Sequence, residues 1–214
     1  MYDTDEEQID AIKKWFSRWG NYLIGAVLLL VLGYGGFWFY GHQQEQTALA
    51  ASDQYQQVLR LVNNQDRLSE AEQAQLDELF TTLSTEFPGA TYAVYTALFQ
   101  ARFAVQEQQY EVAQERLEWA LNQVSDEGLK GLINLRLARL EFALGLDDAV
   151  LSRLDAIPAA GQEVGYAELR GDVHAAAGRL SETRAAYAEA WRLAQEQGLQ
   201  RPLLAVKAEN YGAL

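Results

Sequence analysis

Arg102 and Arg139 stand 37 residues apart, with Tyr95 and Leu98 before the first and Phe142 after the second. Guanidinium groups among apolar and aromatic side chains can clamp a carboxylate while apolar groups are buried alongside. The competing use is local pairing with acids such as Glu141 or Asp172, and the sequence leaves both open. Other reactive types are sparse. The two histidines, His42 and His174, have no partner histidine at metal-ligand spacing, and no His-Glu-x-x-His occurs. His174 reads as a packed histidine on a helix, and His42 as a residue beside an apolar run. Carboxylate pairs such as Glu6-Glu7 and Asp147-Asp148 fall where helices begin and complement the helix dipole there. No phosphate loop, dinucleotide fingerprint or Gly-x-Ser-x-Gly elbow is present. The residues point to binding rather than catalysis, with no enzyme, metal or cofactor expected.

The chain that carries these residues has 214 amino acids, no cysteine, and 17 basic against 30 acidic side chains, a net charge of -13. Without cysteine there are no disulfides, thiolate metal sites or cysteine nucleophiles. The acidic balance argues against nucleic acid as a partner, because such affinity rests mainly on Lys and Arg against phosphate. An apolar fraction of 49% excludes a disordered acidic tail.

No side chain between Arg18 and Glu45 is ionised, and Leu23 to Tyr40 is almost wholly apolar. As a helix those residues reach roughly 27 Å, close to the hydrocarbon thickness of a bilayer. Trp19 and Tyr22 flank one end and Phe37-Trp38-Phe39-Tyr40 the other, where amphipathic rings favour the headgroup layer. Ala48-Leu49-Ala50 has the form of a signal-peptidase site but lies beyond the polar run His42 to Gln46, so an uncleaved anchor is expected. Lys13, Lys14 and Arg18 precede the run, and no Lys or Arg follows until Arg60. The positive-inside rule therefore keeps the N-terminus cytoplasmic. The expected organisation is a cytoplasmic segment 1–18, a transmembrane helix 19–42 and an extracytoplasmic body 43–214. Most of the acidity belongs to that body. The glycines Gly25, Gly33, Gly35 and Gly36 give the span a small-residue face suited to helix packing in a membrane.

The body reads as all-α. Ala, Leu, Gln, Glu and Arg dominate, and breakers recur at Asn63-Asn64, Pro88-Gly89, Ser125-Asp126, Gly145, Pro158 with Gly161, Gly178, and Gly198 before Pro202. Ser69 with Glu72 fits a capping box. Helix starts are also expected at Ser125-x-x-Gly128 and at Ser181-Glu182. Small residues recur at Ala101, Ala138 and Gly171, 37 and 33 residues apart, near the period of about 34 of a tetratricopeptide array. Tyr110, Ala113, Leu117 and Ala120 complete one unit. Gly178, Tyr187 and Ala190 complete another, with Thr183 in place of an alanine. Gly145, Ala149 and Ala156 fit a middle unit if its second helix begins one residue early. Leu76, Phe80, Leu83 and Pro88 suggest a weaker first unit, and Arg201 to Asn210 a closing helix.

In such an array the first helix of each pair lines the concave side. Counting along the repeat puts Tyr95, Leu98, Arg102 and Val105 in that groove, then Leu132, Leu135, Arg139 and Phe142, then Gly165, Glu168, Asp172 and Ala175. Arg102 and Arg139 occupy the same repeat position.

Three segments, in order, resemble the YfgM family of ancillary SecYEG translocon subunits: Glu6 to Phe16, Ile133 to Leu140 after Ser125-Asp126-Glu127, and Leu169 to Asp172. The resemblance covers nearly the whole chain. It implies a single-pass bacterial inner-membrane protein whose periplasmic repeats link the SecYEG translocon to a periplasmic chaperone, such as the membrane-anchored PpiD type, or to translocating polypeptides. It brings no catalytic residues. An alternative role is regulation through the cytoplasmic segment, with the repeats used for dimerisation.

Overall fold

A computed structural model of the protein describes residues 46–63, 65–88 and 91–214, with Lys13, Trp15, Ser17, Tyr22, Gly25, Leu29, Leu30 and Tyr34 before them. The chain divides into two compact units, Met1–Ala50 and Ala51–Leu214. In the first unit the isolated described positions are helical, and Leu29, Leu30 and Tyr34 leave about three quarters of their side-chain surface uncovered (73%, 73% and 74%). Among the described residues no helix is long and apolar enough to cross a membrane. The expected span 19–42, and the topology determinants Lys14 and Arg18, lie largely outside the described residues; Lys13 is helical and exposed.

The described residues of the second unit are helical with no strand. We label the helix at 51–62 α1. It is followed by α2 (Glu70–Glu86), α3 (Tyr92–Gln106), α4 (Tyr110–Gln123), α5 (Glu127–Ala143), α6 (Asp147–Ala156), α7 (Glu163–Ala176), α8 (Leu180–Glu196) and α9 (Pro202–Asn210). Helices adjacent in sequence pack on one another, and α5 also packs on α7. The result is an array of helix hairpins, α1–α2, α3–α4, α5–α6 and α7–α8, covered at its end by α9.

Local chemistry sets the helix ends. Ser69 caps α2: its Oγ accepts from the Glu72 N–H, and Glu72 Oε2 accepts from the Ser69 N–H at 2.7 Å, the reciprocal box expected from sequence. At α5 the cap is Asp126, whose carboxylate accepts from the Leu129 N–H at 2.8 Å, one residue after the expected Ser125. The α8 helix begins at Leu180 with no side-chain cap, so Ser181-Glu182 lies inside it rather than at its entry. The first helices α3, α5 and α7 end in the same way. Gln109 N–H reaches Ala104 O, Leu146 N–H reaches Glu141 O and Arg179 N–H reaches His174 O, in each case across one residue with positive φ. Glycine takes that conformation at Gly145 (φ 74°) and Gly178 (φ 70°), whereas the α3 end places Gln108 there (φ 62°).

The second helices share one register. Tyr110, Asp147 and Leu180 each begin a helix nine residues after Ala101, Ala138 and Gly171. This corrects the expected one-residue shift in the middle unit. Ala149 and Ala156 are exposed, and the crossing is filled by Val150 and Leu154, which are fully buried. Elsewhere the expected crossing residues are in place. Ala101, Ala113, Ala120, Ala138, Tyr187 and Ala190 are buried, and buried Thr183 returns its hydroxyl to the Arg179 carbonyl at 2.8 Å. In the first hairpin Leu76, Phe80 and Leu83 are buried in α2, with Pro88 just beyond it.

Candidate binding groove

The first helices α3 and α5 stand apart, while α5 and α7 close on each other. The cause is visible at one repeat position. Gly165 of α7 has no side chain, and Leu135 of α5 fills the space: a Cβ on Gly165 would come within 2.6 Å of Leu135 Cδ2. The equivalent position in α5 carries Leu132, whose side chain needs room of its own.

Between α3 and α5 lies a cavity of about 310 Å³. Leu98, Ala101 and Val105 wall it from α3, Leu140 and Ala143 from α5, and Tyr110 and Leu117 from α4. Arg102, Arg136 and Arg139 line it as well, and no acidic residue does; the Arg102 guanidinium turns toward Gln65 and Arg139 Nη2 lies beside Gly165 of α7. None of the three forms an ion pair among the described residues. Partial desolvation, with repulsion from Arg139 and Arg102, pushes the Arg136 guanidinium below its ordinary value. Arg102 is oriented by a hydrogen bond from Nη2 to the Gln65 carbonyl (3.1 Å) and lies over the rings of Phe103 and Phe99. It also lines a second, more open cavity of about 470 Å³ with Leu59, Arg60, Val62, Asn63 and Phe99.

The residues singled out from sequence therefore separate into groups. Leu98, Arg102, Val105 and Arg139 come together around the α3–α5 cavity. Tyr95 does not line it: its ring is tilted against Tyr55 of α1 at 6.0 Å. Leu132 and Phe142 are half-buried, and Leu135 is buried where α5 meets α7. Glu168 and Asp172 do not face an open groove. Glu168 binds Arg201 (2.6 Å) and Lys207 (2.9 Å) from the closing segment, and Asp172 binds Lys207 (2.7 Å) and the Tyr187 hydroxyl (2.7 Å). Glu141 does not pair with Arg139: it takes two hydrogen bonds from Arg153 of α6. Arg136 was missed, because it falls outside the four counted groove positions. Its spacing of three from Arg139 is the signal that puts both on one helix face. His174 is half-buried on α7 with Nδ1 unpartnered; burial and the charges of Arg179 and Arg170 hold its pKa below the ordinary value. Among the described residues no group of acidic or histidine side chains could hold a metal ion.

Stacked hairpins with small residues at their crossings and a covering last helix define a tetratricopeptide-like repeat protein. The family model described as "Tetratricopeptide repeat-like domain" matches residues 13–213. The chain is 31% identical over 213 residues to the "Ancillary SecYEG translocon subunit" of Haemophilus influenzae, covering 98% of each chain. It is 30% identical over 187 residues to the protein of the same name from Escherichia coli, covering 87% of each. The like-named protein of Neisseria gonorrhoeae is 25% identical over 207 residues, with 96% of each covered. The chain belongs to this family of ancillary SecYEG translocon subunits, the YfgM family. No solved structure matches it significantly.

Proposed function

We propose that the protein is a non-catalytic, single-pass inner-membrane scaffold of the Sec translocon whose repeat body holds polypeptides on the far side of the membrane. Residues 1–18 are then cytoplasmic, with Lys13, Lys14 and Arg18 setting the orientation. Residues 19–42 are the anchor, and 43–214 the periplasmic body. The uncovered apolar side chains of Leu29, Leu30 and Tyr34 support the anchor, since such surface is stable only against lipid or another helix.

The observation that carries the binding role is the α3–α5 cavity, apolar in its walls and bordered by three arginines that form no ion pair among the described residues. Periplasmic chaperones, including the membrane-anchored PpiD type, and emerging secreted chains are the partners this reading names. Photo-crosslinking residues at Arg102 and Arg139 in native membranes should capture periplasmic polypeptides; Glu118 and Arg192, exposed on second helices, are the controls. Capture only at the controls would sink the groove. Deleting residues 2–10 should leave capture intact, and loss of capture would favour a regulatory role for that segment. Protease added to spheroplasts should digest the body, and protection would reverse the orientation.

A further inference from the structure

The α3–α5 cavity and the more open one beside α1 share Arg102, and together they carry Arg60, Arg102, Arg136 and Arg139 on α1, α3 and α5. No acidic side chain lines either cavity, and none of the four arginines has an ion pair among the described residues. This concentration of cations stands in a chain whose net charge is -13. Between these arginines the walls are largely apolar, from Leu98, Val105, Leu117 and Leu140 with Tyr110. An occupant must therefore bring several carboxylates and also apolar side chains set between them.

We propose that this surface selects extended polypeptide segments in which Asp or Glu alternates with aliphatic residues. The inference rests on the reading of the groove as a polypeptide-binding surface, and it names the chemistry of the segment. An extended segment of about ten residues reaches roughly 33 Å, enough to run across α1, α3 and α5. A single chain-terminal carboxylate would satisfy one or two of the four guanidiniums and leave the others uncompensated. An anionic bilayer has the right charge but extends across the whole acidic body, which repels it, whereas a peptide strand meets only the groove.

The test uses the full chain in detergent micelles and a labelled peptide of about ten residues alternating Glu and Leu, read by fluorescence anisotropy. Its counterparts carry Gln or Lys in place of Glu, or an amidated C-terminus. The acidic peptide should bind, the Gln counterpart about tenfold more weakly, and the Lys counterpart not at all. Arg136→Gln and Arg139→Gln should each weaken the acidic peptide about tenfold and leave the Gln counterpart unchanged. Both side chains are exposed, and circular dichroism and melting check that the fold is kept. Arg139→Lys should recover part of the loss, since charge returns without the bidentate fork.

Equal binding of the Glu and Gln peptides would overturn the proposal while leaving a polypeptide groove in place. Loss of binding on C-terminal amidation would overturn it in favour of chain-end recognition. Displacement of the peptide by vesicles containing phosphatidylglycerol, and not by neutral vesicles, would overturn it in favour of lipid. If no peptide binds and the groove crosslinkers are silent, the binding role itself fails.

Discussion

The ring of Tyr187 in α8 lies against the backbone of Gly171 in α7, so closely that a Cβ at 171 would meet Tyr187 Cε1 at 2.4 Å. The last hairpin is thus built on a pair of unequal residues, one with no side chain and one with a large ring. Tyr187 is buried and donates its hydroxyl to Asp172 at 2.7 Å, so it has little freedom to withdraw. Burial and the neighbouring Asp172 carboxylate also drive its pKa far above the ordinary tyrosine value, keeping the phenol protonated.

Gly171→Ala should therefore overpack this crossing and lower stability by about 1–3 kcal/mol in urea unfolding. Combined with Tyr187→Leu it should cost less than the two single changes added together, because each relieves the other. Strict additivity would show that the contact does not limit the packing.

Gln108→Gly should raise stability by about 0.5–1 kcal/mol, because the α3 end holds a non-glycine residue at positive φ. The side chain is exposed and makes no hydrogen bond that would be lost. A melting temperature unchanged or lowered would mean that the backbone there is unstrained.

Gly131→Ala and Gly165→Ala separate rigid from yielding neighbours. A Cβ at 131 would come within 2.4 Å of the Ala159 carbonyl oxygen, which belongs to backbone. A Cβ at 165 meets the end of the Leu135 side chain, which can rotate. Gly131→Ala should be the more costly by about 1 kcal/mol or more in chemical unfolding. It also disturbs the site where Tyr166 donates to the Gly131 carbonyl and accepts from Asn134 Nδ2.

The closing segment predicts a pH dependence. Burial works to raise the Glu168 pKa, but hydrogen bonds from Lys207 and Arg201 outweigh it, so the folded value lies below 4.5. The stabilisation is complete above the ordinary glutamate value and is lost as pH falls through the lower folded value. Burial works to lower the Lys207 pKa, and its bonds to Asp172 and Glu168 raise it on balance above 10.5. Its contribution is present below that value and lost as pH rises through the folded one. Glu168→Gln should flatten the acid limb of a stability profile. Lys207→Met should cost roughly 1–3 kcal/mol at neutral pH, less than a fully buried pair because 26% of its side chain is exposed.

The repeat was legible where its signal is local. Small residues at Ala101, Ala138 and Gly171, the capping box at Ser69 and Pro202 at the first position of α9 all act within a few residues of themselves. The register of α6 was not, because Val150 and Leu154 fill a crossing where the repeat pattern favours alanine, while nearby Ala149 and Ala156 imitate it from the exposed face. The pairing of Glu168 and Asp172 was hidden for another reason. Their partners lie 33 to 39 residues further along, on a helix that follows the last repeat. Within the groove, repeat counting found Arg102 and Arg139 but passed over Arg136, which reaches the same cavity from the next helical turn.

The attachment of α9 also orders the birth of the protein. Each earlier hairpin meets its neighbours soon after its own residues are made, so packing can follow synthesis hairpin by hairpin. The α7–α8 hairpin has no following hairpin and depends on the single helix α9. Until Arg201 and Lys207 have emerged, Glu168 and Asp172 lack their cations and Val164, Ala167, Ala190 and Ala194 lack the cover of Leu204 and Ala208. The final hairpin therefore becomes native only once α9 has been made, and until then its apolar face is open to any holdase within reach.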